Sequence, residues 1–531
     1  MVSFKQLVVA GFSSTAVSKS IRRSTPPVSS VTCNGQAYTY DGLAGFGSVK
    51  SDARDQYGDT ISIGSSMAIK DWKKAGKGYK ATIIPRVHIF EITFTPAPEA
   101  TVAKPSSPNL EFNYKRTILL SGPDGKPMTG LDPDFTGGLG YPGFPTMPAA
   151  TYPGDGFGGP GNGDKRISLD AEGLVVDDDG SFWISDEYGP FLYRFNKDGK
   201  LLTAVQPPDA LLPVRGGKVS YNSNTAPIYD PKIVPSPADP DHGRQNNQGF
   251  EGLTISPDGT SLWVMLQSAA RQEGGASSSK RRNTRFLKYS LEKQKKDELK
   301  VTYEAEYVVP LATFTNAAGN TRVAAQSEIL YISDTQFLVL GRDSSVGRGQ
   351  EDPLSRYRHV DVVDVSRATN IKGPKFDDIQ NGNITAGGIE KASDKLVDGI
   401  TPAEFCPYID YNINSELNKF KTSNGDVVHN GAPVDLGLLN EKWEALALVP
   451  VNPDGKGKGK GKGKGKSSGC GGSEDEYYLI TLSDNDFITN NGYANFGKIK
   501  FVDDSAKVPF LDSQALVFKV TLPKGSTPLS G

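Results

Sequence analysis

Four stretches of this chain repeat one another, and a chain that repeats one strand pattern has few folds open to it. Residues 168–205 read SLDAEGLVVDDDGSFWISDEYGPFLYRFNKDGKLLTAV. Residues 247–269 read NQGFEGLTISPDGTSLWVMLQSA and resume at Arg285 with RFLKYSLE. Residues 326–345 read QSEILYISDTQFLVLGRDSS, continued from Arg358 by RHVDVVDVS. Residues 442–451 read KWEALALVPV, continued from Tyr477 by YYLITLSDNDF. Each unit runs through a Glu, a small or apolar residue, a Leu, a turn, a second alternating strand and a polar or acidic cluster.

The local chemistry within a unit is that of strands and tight turns. Asp-Gly pairs at 179–180, 198–199 and 258–259 sit between short alternating runs, the strongest short-range hairpin signal. Residues 181–186 and 191–195 alternate apolar and polar with period two. Four short antiparallel strands in succession, the last at 200–205, make one propeller blade. The 59 Gly and 36 Pro together approach a fifth of the chain, against a usual ~12%, which suits a turn-rich β protein and argues against a helical bundle.

The fold class this predicts is all-β, a single β-propeller of six or seven blades with long loop insertions. The anchoring glutamates Glu172, Glu251, Glu328 and Glu444 lie 79, 77 and 116 residues apart, whereas a compact blade needs ~40–50. Either the blades carry long insertions or some anchors skip a degenerate blade. A strand at 37–40 pairing with one at 515–522 would close the ring and remove its exposed edges. The domain spans 37–522 on this reading, with a signal peptide at 1–18, an N-terminal segment at 19–36 and a tail at 523–531. Two segments are expected outside the blades: the Gly/Pro-rich 137–164, and the Gly-Lys alternation at 455–466, which is low-complexity and expected to be disordered.

Composition excludes several functions. Lys and Arg number 59 and Asp and Glu 61, a net charge of −2, so no global field draws in nucleic acid or an anionic membrane. No apolar run is long enough to span a membrane. The start of the chain, a lone Lys5, a short apolar run at 7–12 and small residues at 13–18, reads as a secretory signal. Three cysteines, Cys33, Cys406 and Cys470, allow one disulfide in an exported chain and leave the third unpaired. The expected form is a secreted monomer acting on a small-molecule phosphoester or ester, with no nucleic-acid partner.

Familiar motifs occur without their context. The GxGxxG at 154–159 has no strand before it or helix after it, and the GxSxG at 465–469 ends the Gly-Lys tract. His88, His242, His359 and His429 have no metal-ligand spacing, and a loop role is expected for His242.

The carboxylates carry the chemical signal. Glu172, Glu251, Glu328 and Glu444 each open the innermost strand of a unit, so they form a ring at the channel and are the candidate catalytic residues. Asp186, Glu187, Asp343 and Asp484 end the second strands, with Gln267 in the remaining unit, and are the candidate metal ligands. Oxygen donors without Cys or His are what calcium takes. The alternative is structural: each Glu accepts backbone N–H groups from a neighbouring blade. Arginines also cluster, Arg342, Arg348, Arg356 and Arg358 around the third unit and Arg271, Arg281 and Arg282 with Lys280 after the second. Guanidinium groups suit bidentate phosphate binding, and Arg342 and Arg271 are the candidate substrate-binding residues, a solvated loop being the alternative.

EGL, DG, Trp and an acidic cluster, then FLYRFNKDG, QGFEGL and SEILYIS, resemble in combination the family described as esterase-like activity of phytase, over roughly residues 38–520. The resemblance implies a secreted β-propeller of bacterial or fungal type, here fungal, that hydrolyses phosphoric or carboxylic esters. The family carries no established catalytic set onto these positions, and the third and fourth units depart from EGL with Glu-Ile-Leu and Glu-Ala-Leu. Three readings follow: a calcium-assisted phosphoester hydrolase, a carboxylester or lactone hydrolase with a channel calcium, and a binding propeller without turnover.

Overall fold

In a computed structural model, the structure describes residues 26–85, 88–156, 159–294, 299–380, 382–453, 475–503, 505 and 507–530. The signal segment at 1–18, the Gly-Lys tract at 455–466 and Cys470 lie outside the described residues.

Five antiparallel sheets stand around one channel. Blade 1 comprises Met67–Ala75, Gly78–Pro85, His88–Phe94 and Leu110–Thr117. Blade 2 comprises Ala171–Val176, Phe182–Asp186, Leu192–Phe195 and Leu201–Val205. Blade 3 comprises Phe250–Ile255, Ser261–Leu266, Asn283–Lys293 and Leu299–Pro310. Blade 4 comprises Ala325–Tyr331, Gln336–Arg342, Arg358–Asp364 and Glu404–Asp410. Blade 5 takes Trp443–Pro450, Glu476–Ser483 and Ser513–Thr521 from the C-terminal end of the chain and Gln36–Val49 and Ser29–Cys33 from the N-terminal end. The first strand of each blade is innermost, and these strands pack against one another in sequence around the ring. Among the described residues the only α-helical segments are the single turns Pro374–Asp377 and Asn414–Leu417.

The chain is thus all-β and a single propeller, but of five blades, not six or seven. Four repeats are blades 2 to 5, no anchor skips a blade, and the wide spacings are insertions. Blade 1 precedes the first anchor and carries no Glu at the entry of its inner strand. The insertion within blade 4, 365–403, lies along the outer strand of blade 3, where Ile371 N donates to Glu306 O at 2.8 Å and Ala403 N to Val308 O at 2.8 Å. It covers an edge that would otherwise be open to pairing.

The turns and the closure follow the sequence. Gly180, Gly199 and Gly259 adopt φ of 84°, 86° and 70°, the left-handed region their Asp-Gly turns require. Thr39 pairs with Thr521 and Tyr40 with Val520, so the two chain ends share one sheet. Cys33 and Cys406 form a disulfide with Cα atoms 5.8 Å apart, joining the edge strand of blade 5 to the outer strand of blade 4. The Gly/Pro-rich 137–164 lies outside the blades, although Ala149–Tyr152 forms a hairpin with Asp164–Ile167 there. Met147, Ala149 and Ala150 are buried, and Met147 joins the core of blade 2.

Apolar residues fill the seams between blades. One cluster unites blades 4 and 5, another blades 5 and 1, and others blades 2 and 3 and blades 3 and 4. Ile69, Val175, Ile255, Ile329 and Leu448 of the inner strands line one stretch of the channel. A cavity of about 250 Å³ lies between Glu328 and Leu529. The C-terminal tail reaches that cavity, with Leu529 N donating to Tyr331 O at 3.1 Å and Thr527 N to Ile332 O at 3.2 Å.

Candidate functional site

The inner strands of blades 2 to 5 each bulge where a ring glutamate stands. The pairing of first and second strands slips one residue between Ala171 and Leu174, between Phe250 and Leu253, between Gln326 and Glu328, and between Trp443 and Ala445. A bulge re-aims a side chain that a regular ladder would hold on one face. Gly173 and Gly252 serve the same geometry. A Cβ on Gly173 would lie 2.4 Å from Leu253 Cβ, and one on Gly252 would lie 2.6 Å from Ile329 N. The Gly of EGL is there because the neighbouring inner strand passes too close for a side chain.

The four carboxylates are buried but differently partnered. Glu328 Oε1 accepts Ile329 N at 2.9 Å and Leu253 N at 3.1 Å, and Oε2 accepts the Ser66 hydroxyl. Glu444 pairs with Arg342 Nη2. Burial works against the Arg342 charge, but Glu444, Glu441 and Glu251 outweigh it and hold the guanidinium above its ordinary pKa. Glu251 Oε1 accepts Gln267 Nε2, while its Oε2 is buried without a hydrogen-bond partner. Burial first, then Glu444, pushes Glu251 up to about 8.

Glu172 joins a second set. Ligand oxygens of Asp170, Glu172 and Glu187 all lie within 4.8 Å of one another. Glu187 is 2% exposed, and its Oε1 has no hydrogen-bond partner. Burial, then Glu251, Asp170 and Glu172, raises its pKa well above the ordinary carboxylate value. Three carboxylates this close repel one another unless a cation or protons intervene. An all-oxygen donor set with an orphaned buried oxygen fits a hard divalent cation such as calcium. Buried Arg244 braces the turn after Glu187, donating from Nε to Tyr188 O at 2.8 Å.

Asp186, Asp343 and Asp484 anchor loops. Asp186 accepts the amides of Asp170, Tyr188 and Gly189 at 3.0, 3.1 and 3.0 Å, and burial raises it to about 7. Asp343 accepts Ser355 Oγ at 2.7 Å and the amides of Arg356 and Tyr357 at 2.6 and 3.2 Å. Asp484 accepts Ser62 Oγ and Ser65 Oγ, each at 2.9 Å, and Asp486 N at 2.8 Å. Of the four expected metal ligands, Glu187 alone is in the triple. Of the two expected substrate arginines, Arg342 stands at the ring, and Arg271 lies in a loop against Asp239 and Gln245.

Sequence reasoning passed over Asp170 and Ser66. Asp170 was legible: it precedes Glu172 by two residues at the entry of a strand, and alternation places such a pair on one face. Ser66 was not, because blade 1 departs from the repeat.

A cleft of about 750 Å³ reaches Leu169 and Ala171, on either side of Asp170. Leu119, Met128, Phe487, Tyr493 and Phe496 give it an apolar and aromatic wall, and its charged groups include Asp55, Asp59 and Asp155 against Arg166. Phe496 is 55% exposed and Phe487 39%.

The model of one protein family, described as phytase-like, esterase-like activity of phytase, matches residues 86–458. An uncharacterized secreted protein of Arthroderma benhamiae is 45% identical over 494 residues, covering 88% of this chain and 91% of its own. Among solved structures, an N-acetylgalactosamine deacetylase from F. plautii aligns over 90% of this chain and 95% of its own at 9% identity. Its TM-score of 0.27 carries no argument about fold or activity. Among the described residues no helix is long and apolar enough to cross a membrane.

Proposed function

This chain is a secreted member of the phytase-like family, and on that premise we propose that it hydrolyses phosphoric esters at the channel mouth with a calcium ion held by Asp170, Glu172 and Glu187. The observation that carries the reading is the buried Glu187 Oε1 without a partner, amid two further carboxylates. The bound cation would draw charge from the ester oxygens and lower the pKa of water.

The chain's own residues supply the rest. Glu251, titrating near 8, is mostly protonated at neutral pH. Gln267 fixes its Oε1, which leaves Oε2 to hold the proton and give it to the departing alcohol oxygen. Arg342 balances Glu444 and keeps a buried Nε–H without a partner, a donor for the oxygen on which charge develops. Glu328 ties blades together and takes no part.

The cleft beside Asp170 favours a second reading. Its wall is apolar, and Asp55, Asp59 and Asp155 face a single arginine, a poor match for a polyanion such as inositol hexaphosphate. A carboxylic ester or lactone with an apolar group suits it better, worked on by the same carboxylates and the same cation.

Release of phosphate from an aryl phosphate and from phytate, and of acid from an aryl carboxylester, with calcium and with chelator, decides between them. Turnover that needs the cation and disappears in Glu187→Gln supports the site, and the preferred ester selects the reading. Turnover indifferent to chelator and to Glu187→Gln overturns both.

A further inference from the structure

Arg281, among the arginines that follow the second repeat, has no role in the carboxylate site, and it meets Arg322 at one cavity. A cavity of about 420 Å³ opens between blades 3 and 4, walled in part by Ser278, Arg281, Arg322, Ser344 and Arg356. Its carboxylates are engaged. Asp343 accepts Ser355 Oγ and two backbone amides, and Asp352 pairs with Arg356 Nη1 at 2.7 Å. Lys280, next to Arg281, pairs with Asp394 at 3.2 Å. Among the described residues no carboxylate pairs with Arg281 or Arg322. Arg281 Nε is buried without a hydrogen-bond partner, and Arg322 Nη1 donates to Thr321 O at 3.0 Å. Burial and then the like charge of Arg322 lower the pKa of Arg281.

Two guanidinium groups facing one cavity with no counter-ion are an unbalanced charge in a partly desolvated place. Such an arrangement costs stability unless something anionic completes it. The cavity also carries a strained wall: Ser345 sits at φ 63°, a left-handed conformation that a non-glycine residue adopts at a cost. The forked donors of arginine match a tetrahedral oxyanion, and the serine hydroxyls can complete its coordination.

We propose that this cavity is an oxyanion site for a phosphate group, held by Arg281 and Arg322, separate from the carboxylate cluster of the channel mouth. Its room beyond a single phosphate admits the organic part of a phosphomonoester. The inference does not rest on the proposed activity, because it needs neither cation nor turnover.

The test is thermal melting in chelator, with inorganic phosphate, glycerol phosphate, sulfate or acetate titrated against the full chain. Phosphate should raise Tm progressively, as any ligand of the native state does. Acetate should not. A larger rise with glycerol phosphate than with phosphate identifies a phosphomonoester as the occupant, and an equal rise identifies the free ion. Sulfate matching phosphate shows that shape and charge alone are read. The double variant Arg281→Met, Arg322→Met should weaken the apparent affinity by about tenfold or more, since each lost charge-assisted hydrogen bond is worth roughly that factor. Glu187→Gln should keep the full rise, which separates this site from the catalytic reading.

A second observable needs no ligand. Removing an uncompensated, half-buried cation should raise the Tm of Arg281→Met in anion-free buffer, whereas a guanidinium with a hidden partner would lower it. Arg322→Gln, half-buried in the short strand Thr321–Val323 of a hairpin outside the blade sheets, gives a variant that leaves the blade packing intact. No phosphate shift in the parent, an undiminished shift in the variants, or a lowered Tm for Arg281→Met overturns the proposal.

Discussion

Ser66 donates its hydroxyl to Glu328 across the channel, from blade 1, which has no ring glutamate, to blade 4, two places round the ring of inner strands. Ser66 Oγ in turn accepts Leu174 N at 3.0 Å, and Glu328 also accepts Leu253 N at 3.1 Å, so one carboxylate and one hydroxyl link four blades. Glu328→Ala removes the acceptor of two buried amides and of a buried hydroxyl, at roughly 1–3 kcal/mol for each group left unpaired. A loss of about 3 kcal/mol in urea denaturation is expected. Glu328→Gln, whose carbonyl can still accept both amides, should lose less than half of that. Equal losses for the two variants would show that packing, not acceptance, is the role of Glu328.

The raised carboxylates make stability depend on pH with a definite sign. Glu251 moves from an ordinary 4.5 to about 8, chiefly by burial, and Glu306 moves from 4.5 to about 7 for the same reason despite Arg285. Glu187 and Glu328 shift in the same direction. Between pH 4.5 and about 8 the unfolded chain has released protons that the folded chain keeps. Stability should therefore fall as pH rises through that window and level off above it. In chelator, Tm measured from pH 5 to 8 should decline steadily. Calcium should flatten the decline, because the ion binds the ionised carboxylates. A flat profile in chelator would show that the cluster is ionised and balanced by groups of the chain itself.

The cation-binding triple predicts a selective loss. Calcium should raise the Tm of the parent and not that of Glu187→Gln or Glu172→Gln, with activity lost in both. Asp343→Asn should also melt lower, since it loosens the acceptor of three donors, yet retain its calcium-dependent rise. Arg271→Ala, whose partners are Asp239 and Gln245 and not the ring, should leave turnover per folded molecule unchanged. A calcium response preserved in Glu187→Gln would remove the triple as the metal site.

How much of this was readable follows from what a repeat can encode. The glutamate of each repeat marks the bulge at the head of an inner strand, so the ring and its four members were legible from position alone. The acidic residues at the ends of second strands look equivalent in sequence. Their roles split by where the following loop turns: Asp186, Asp343 and Asp484 fold back onto amides and hydroxyls, and Glu187, one residue past Asp186, points into the cluster instead. No periodicity reports the course of a loop. Blade number failed for a related reason. The insertions between and within blades carry turns and short hairpins such as Ala149–Tyr152 with Asp164–Ile167, so length alone mimics an extra blade. Blade 1, with Ser66 where the others have Glu, is invisible to a search anchored on Glu.

Gly252 tests the bulge geometry directly. An added Cβ would stand 2.6 Å from Ile329 N and 2.8 Å from the carbonyl carbon of Glu328. Both are backbone atoms of the next inner strand and cannot swing aside. Gly252→Ala should cost about 1–3 kcal/mol through overpacking and move Glu251 and Glu328 apart. Activity should fall with it, although no reacting group has been touched. Gly259→Ala meets no neighbouring atom and strains its turn alone, so it should destabilise while leaving turnover per folded molecule unchanged. Unaltered activity in Gly252→Ala would mean that the ring tolerates slippage between inner strands.

The disulfide closes what the hydrogen bonds of blade 5 leave open. Gln36–Val49 lies between Ser513–Thr521 and the edge strand Ser29–Cys33, so the N-terminal segment is the last piece of the ring. Its outer side abuts blade 4, where Cys33 is bonded to Cys406 across 373 residues of chain. Closing so long a loop in the unfolded state removes much of its freedom, and loss of such a bridge costs about 2–5 kcal/mol. The pair Cys33→Ala, Cys406→Ala should therefore melt well below the parent. Limited proteolysis should release the first strands before any other blade is cut, because nothing else covalent holds blade 5 to blade 4 at that edge. At temperatures where the variant remains folded, its calcium response should match the parent, since the acidic triple sits at the channel mouth in blade 2 and not at the blade edge. An unchanged Tm and an unchanged cleavage pattern would show that the strand pairing of Gln36–Val49 with Ser513–Thr521 holds the ring without help.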